Sequence, residues 1–252
     1  MTKNIDRLYD RSVSFYEPVK NRSPNAIVFI HGGAWIDEKN TPNDFEFLCG
    51  AMLNMSDNDL DYAMYGITYR LSPTVKHPTH ICDVIENLYR LIKDKGIKKL
   101  QLVGHSVGAT LAWQVATATA TNELCSSSEK LIYVQSCLTG LYLIDGIFSI
   151  SELLDEYPEY IYFVSQAFQN NGKEFEELSY SIKRLPCWIS YIHLLHSYKD
   201  ELLTLRQPRY MADLLQENAI PYISYFSDMG LHNEVYENPK LARYLLDNLK
   251  FT

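Results

Sequence analysis

The chain has 252 residues, 46% of them hydrophobic and 21% charged, with a net charge of −8. That balance excludes intrinsic disorder, and the acidic sign argues against a nucleic-acid surface, which needs a basic face to neutralise phosphates. Nowhere do about 18 apolar residues run uninterrupted, so no membrane-spanning helix is expected. The opening MTKNIDRLYDRS carries charges where a secretory signal needs an apolar core. Five cysteines (Cys49, Cys82, Cys125, Cys137, Cys187) lie far apart without a C-x-x-C pair. Neither a disulfide framework nor a zinc site reads from them, and the expectation is a reduced, cytoplasmic protein.

In chain order, AIVFI at 26–30 is a short apolar run rich in β-branched residues and ends at Gly32 and Gly33. It predicts a buried strand closing in a turn. YAMYGITY at 62–69 predicts a second strand. From 83 to 95 the helical period sets Val84, Leu88, Leu91 and Ile92 on one face, and Gly96 follows as the cap. LQLV at 100–103 predicts a third strand, and an Ala/Thr/Leu-rich helix follows over 107–120. The apolar run at 131–134 carries both strand and helix signals. Further strands are expected at 141–144, 192–195 and 222–226, with helices over 209–217 and 240–250. Strands alternating with helices imply right-handed βαβ units. The expected fold is α/β: one domain spanning 1–252, with a mostly parallel central sheet flanked by helices. Residues 148–185 show no strand period; a small, cap-like helical insertion after the sixth strand would explain this, and so would ordinary surface structure.

The segment LQLVGHSVG places a G-x-S-x-G between a strand and a helix, with Ser106 at its centre. By itself the pattern is weak, since about one chain in ten of this length holds it by chance. In strand–helix context it reads as a nucleophile elbow: a strained turn that exposes the serine oxygen at a helix N-terminus. Upstream, His31, Gly32, Gly33, Ala34 and Trp35 follow the first strand. Successive glycines leave backbone N–H groups unobstructed, so Gly32 and Gly33, with Val107 from the elbow, are candidate oxyanion donors. His31 is expected to orient that loop.

A base and an acid must follow the serine in chain order. The histidines after Ser106 are His193, His196 and His232. His193 and His196 lie in or at the end of a strand, whereas His232 sits in a loop after the last strand. Asp200 follows the preceding strand through a short loop and is the favoured acid, with Glu201, Asp228 and Asp145 as rivals. HPTH at 77–80 lacks the spacing of a helical zinc motif, so His77 and His80 are expected to be surface residues and no metal is assigned. G-x-G-x-x-G is absent.

With these residues in hand, the chain resembles the fungal kynurenine formamidases, α/β-hydrolases of the esterase/lipase group. The resemblance rests on HGGAW with NTPNDF, on YRLSP, GHSVGAT, DGIFS and ELLDEYPEY, and on HSYKDELLTLRQ and GLHNEVY. It implies an α/β-hydrolase fold and hydrolysis of N-formyl-L-kynurenine to L-kynurenine and formate, within tryptophan breakdown and de novo NAD synthesis. It also implies a triad of Ser106, Asp200 and His232, and no metal or organic cofactor. The partner expected is this small-molecule substrate, with no nucleic acid and no membrane, and a homodimer is left open. Trp35, beside the hole glycines, is placed either to line the leaving-group pocket or to fill the core. A general small-acyl carboxylesterase would share every one of these residues. A non-catalytic ligand-binding relative would be expected to lack one of the three.

Overall fold

The architecture is that of a computed structural model, which describes residues 12–18, 24–118, 128–169, 172, 189 and 191–251. Its strands are β1 (Val13–Tyr16), β2 (Asn25–Ile30), β3 (Ala63–Ile67), β4 (Lys99–His105), β5 (Leu138–Ile144), β6 (Tyr191–Ser197) and β7 (Ile223–Ser227). They form a seven-stranded sheet in the order β1-β3-β2-β4-β5-β6-β7. Every pair is parallel except β1 with β3. The sequence pattern does not single out β1, because it is four residues long, partly exposed and without alternation.

The helices are α1 (Glu46–Met55), α2 (Thr79–Lys95), α3 (Val107–Thr117), α4 (Ser128–Cys137), α5 (Ile150–Glu156), α6 (Ile161–Ala167), α7 (Arg206–Glu217) and α8 (Pro239–Asn248). They cover both faces of the sheet, which is why β2 reads as a continuous apolar run. Its Ala26, Val28 and Ile30 enter the core shared with α2, α3 and α7. The alternate residues Ile27 and Phe29 enter a second core built with α1 and α8. Helix α2 begins four residues before its apolar period suggests and ends on Gly96, whose φ of 71° is a left-handed cap.

The ambiguous run at 131–134 lies within α4 and adds no strand. The helices α5 and α6 of the insertion therefore follow the fifth described strand, where the sequence reading put them after a sixth. Residues 170–185 of the expected cap fall outside the described set, apart from Gly172. Gln207 ties the insertion's entry to α7: its Oε1 accepts from the N–H groups of Phe148 (2.7 Å) and Ser149 (2.9 Å). A second correction concerns the cysteines. Cys49 and Cys137 are free, but Cys82 on α2 is disulfide-bonded, a pairing that sequence spacing does not reveal. Among the described residues, no helix is long and apolar enough to cross a membrane.

Candidate active site

Strand β4 stops at His105 and α3 starts at Val107, leaving Ser106 as the whole of the turn. Its φ of 54° with ψ of −122° is a conformation that side chains other than glycine rarely adopt, and such strain persists only where the surroundings enforce it. The flanking glycines are what make the turn possible. A Cβ on Gly108 would stand 1.9 Å from the Ile30 carbonyl oxygen, and one on Gly104 would stand 2.2 Å from that of Gly108. The Ser106 N–H donates to the Ile144 carbonyl (2.8 Å), locking the turn to the end of β5.

The loop after β2 approaches this serine closely enough that a Cβ on Gly32 would lie 2.9 Å from Ser106 Cβ. Tyr69 Oη reaches the carbonyls of His31 (3.2 Å) and Gly32 (2.8 Å). In a trans peptide the N–H points opposite to the C=O. Anchoring those two carbonyls on Tyr69 therefore turns the N–H groups of Gly32 and Gly33 the other way. The ring of His31 stacks on Tyr69 (4.6 Å, 12°), and its Nδ1 lies 3.0 Å from the Gly32 carbonyl. Burial lowers the His31 pKa to about 4, so its part is to hold the loop as a neutral ring. Trp35 is 1% exposed and packs edge-on against Phe168 (5.0 Å) and beside Phe163 (6.2 Å). Of the two placements expected for it, the structure takes the core, where it joins the glycine loop to the insertion.

Beyond β6, Asp200 sits in a tight loop where its Oδ1 accepts from the N–H groups of Leu202 (2.9 Å) and Leu203 (2.8 Å). Its Oδ2 lies 2.7 Å from His232 Nδ1, and both side chains are almost wholly buried. Glu201, its neighbour, accepts the His232 backbone N–H instead (2.8 Å). Asp228 accepts from Gly230 N–H (3.4 Å), and Asp145 is engaged with β6. Of the four carboxylates weighed from sequence, Asp200 is thus the one that holds the imidazole. Burial disfavours the charged ring of His232. The Asp200 hydrogen bond and the charges of Asp200, Asp145 and Glu201 outweigh it, and the pKa ends above the usual 6.5. His105, next to the serine, brings its ring to 4.6 Å from that of His232.

The expected surface placement of His77 and His80 is overturned: both are buried. The His80 ring meets Ser72 Oγ at 3.0 Å, and the His77 ring stacks on Phe168 at 5.2 Å. His80 lies on the buried face of α2 beside Tyr69, His77 lies against the end of α6, and burial lowers the His80 pKa to about 3. Two groups of His and Asp donors do converge within 4.8 Å: His105, Asp145 and His232, and Asp145, His196 and Asp200. His232 Nδ1 is taken up by Asp200 and Asp145 Oδ1 by the Ser197 N–H, while His105 Nδ1, His196 Nδ1 and Asp145 Oδ2 have no hydrogen-bond partner among the described residues.

A cavity of about 700 Å³ includes Asp200 among its walls, with Glu152, Arg206, Arg209 and Tyr210, but not Ser106. A second, of about 580 Å³, lies between the loop after β2 and the loop of His232, with Asn40, Asp44, Asn233 and Tyr236 in its walls.

A parallel sheet with a strained serine at its centre and an Asp–His pair beyond the next strands defines an α/β-hydrolase. Solved structures share this architecture. They include an esterase B from Lactobacillus rhamnosis (TM-score 0.68, 18% identity, covering 94% of this chain and 83% of that one). An arylesterase has a TM-score of 0.64 at 15% identity, with 97% and 87% covered. The BD-FAE family model matches residues 13–170. Full-length relatives are more specific. A kynurenine formamidase of Eremothecium gossypii is 45% identical over 243 residues, 95% of this chain and 99% of that one. Another, from Saccharomyces cerevisiae, is 40% identical over 254 residues, covering 96% and 95%. The chain belongs to the kynurenine formamidase family.

Proposed function

We propose that this chain hydrolyses N-formyl-L-kynurenine to L-kynurenine and formate. The observation that carries this reading is the 45% identity, over 95% of the chain, to a protein named kynurenine formamidase. In the proposed mechanism, Ser106 Oγ gives its proton to His232 Nε2 and attacks the formyl carbon. The tetrahedral oxyanion takes hydrogen bonds from the N–H groups of Gly32, Gly33 and Val107, the last at the positive end of α3. The carbon–nitrogen bond then breaks, His232 returns the proton to the departing aryl amine, and a formyl ester remains on Ser106. Water, deprotonated by His232, attacks that ester and releases formate. Asp200, 2.7 Å from Nδ1, keeps the ring in the tautomer that leaves Nε2 free to accept.

The raised His232 pKa suits both halves of this cycle, because a more basic ring takes the serine proton more readily. No step needs a metal or an organic cofactor. Replacing Ser106 with Ala should lower kcat about 10⁴-fold or more, leaving residual catalysis from the oxyanion donors and binding. The substrate is tested by comparing N-formyl with N-acetyl kynurenine. Excluding one methyl from a filled acyl pocket is worth roughly 10- to 200-fold in kcat/KM. Equal rates, or faster turnover of longer-chain p-nitrophenyl esters, would point to a general carboxylesterase with the same machinery.

A further inference from the structure

We propose that Asp145 is a positioning residue for the Asp200–His232 pair, fastening the loop of His232 through Ser197, packing against His196 on the Asp200 side, and standing as a second carboxylate beside the imidazole. The proposal rests on the reading of Ser106, Asp200 and His232 given above. Asp145 is the first residue beyond β5. It is completely buried, and its φ of 45° lies in the left-handed region that side chains avoid. A carboxylate withdrawn from water at a strained position persists where fixed partners hold it. Its Oδ1 accepts the Ser197 N–H (2.8 Å) and lies 2.9 Å from His196 Nδ1. Its own N–H donates to the Leu195 carbonyl (3.0 Å).

From Ser197 hydrogen bonds run to the His232 half of the pair, and His196, in contact with Asp145, borders the Asp200 half. Ser197 Oγ donates to the Gly230 carbonyl (2.5 Å) and accepts from Met229 N–H (3.1 Å), which pins the loop leading to His232. His196 Nε2 meets the Leu203 carbonyl (3.1 Å), and the Leu203 N–H donates to Asp200 Oδ1 (2.8 Å). Asp145 also acts directly. A carboxylate oxygen of Asp145 lies within 4.8 Å of a His232 ring nitrogen, and Oδ2 has no hydrogen-bond partner among the described residues. The charged or titratable groups facing His232 are Asp200 and Glu201 after β6, Asp145 after β5 and the neutral His105 on β4. Three of the four are anionic, so the imidazolium formed during turnover meets Asp145 as well as Asp200.

The decisive variant is Asp145→Asn, which keeps the shape and one acceptor oxygen and removes the charge. The expected result is a kcat lowered roughly 10- to 100-fold with KM little changed, as for a small misplacement of a catalytic group. The acid limb of the pH profile of kcat/KM should move to lower pH by about one pH unit, because an anion near His232 is gone. Wild-type kcat with an unmoved limb overturns the proposal. So does a slower enzyme whose limb stays in place, which would leave Asp145 a packing role only. Should Asp145→Asn fail to fold, Ser197→Ala decides, since it cuts the connection to the Gly230 carbonyl without altering charge. A fall of about tenfold or more in kcat supports the proposal, and an unchanged kcat overturns it. Ser106→Ala run alongside separates the two readings: if that variant remains active, the triad itself fails, whatever Asp145 does.

Discussion

His105 Nε2 and the main-chain carbonyl oxygen of His232 are joined by a 2.9 Å hydrogen bond across 127 positions of sequence. A carbonyl can only accept, so the proton sits on Nε2. His105 Nδ1 is then bare and buried without a partner. Burial and the neighbouring His232 hold this ring's pKa well below 6.5, while the bond to the carbonyl works in the opposite direction. The residue before the nucleophile thus ties the serine turn directly to the loop that carries the base.

That bond makes a donor, and not merely a ring, the requirement at position 105. His105→Phe keeps the contact with His232 and with Tyr236, 5.1 Å away, but donates nothing. It should lower kcat by about tenfold or more through displacement of the imidazole. His105→Gln supplies an N–H and should recover most of the loss. Steady-state kinetics on both variants check this, and equal kcat values would remove the hydrogen bond from the account.

Asp200 and Glu201 are adjacent acids with different contacts, one on the ring and one on the backbone N–H of His232. Asp200→Asn removes the charge and offers a competing donor to Nδ1, so kcat should fall by about 10⁴-fold. Glu201→Gln retains an oxygen for the N–H and should cost less than about tenfold, the scale of one part-buried hydrogen bond. Parallel kcat measurements decide, and a reversal would exchange the two roles.

The parts of this arrangement that sequence makes legible are those set by local chemistry. Gly104, Ser106 and Gly108 announce a turn because the glycines must admit backbone atoms at distances no side chain allows. Ile27 and Phe29 announce a strand buried on both faces. Chain order narrows the acid and base because loops at successive strand ends converge. Local pattern says nothing of Tyr69 holding two carbonyls 37 and 38 positions away, of Asp145 meeting Ser197, or of His105 meeting His232. Those contacts exist once the sheet has assembled. His77 and His80 mislead for the same reason: polar residues around a proline look exposed until α2 turns His80 towards Ser72 and Tyr69 and Phe168 stacks on His77.

The pH dependence of activity follows from the environment of His232. The ring must be neutral to take the serine proton, and its pKa lies above 6.5 because Asp200, Asp145 and Glu201 outweigh burial. The acid limb of kcat/KM should therefore have its midpoint above 6.5, with activity rising as pH increases through it. The other perturbed histidines contribute nothing to this limb, since His31 and His193 titrate near 4, His80 near 3, and His105 well below 6.5. A midpoint at or below 6.5 would contradict the electrostatic account of the site.

Those low-titrating histidines govern stability instead, and with the opposite sign. His31, His80, His105 and His193 are buried, and burial depresses each pKa below the 6.5 of an exposed ring. Below pH 6.5 the unfolded chain takes up protons that the folded chain refuses. Stability must then fall as pH falls, from about 6.5 down towards the folded values near 4 and 3. Each such proton is worth about 1.4 kcal/mol per pH unit, so the combined slope is steep for a protein of ordinary stability. His232 runs the other way: its raised pKa favours the fold below 6.5, and that contribution is lost as pH rises through the folded value. It offsets part of the loss caused by the other four. Denaturant titrations at pH 7, 6, 5 and 4.5 should therefore show a falling unfolding free energy. His80→Gln can still pair with Ser72 and removes one titrating ring, so it should make the decline shallower. A flat profile between pH 7 and 4.5 would mean that these rings take up protons in the folded state, against the burial seen for each of them.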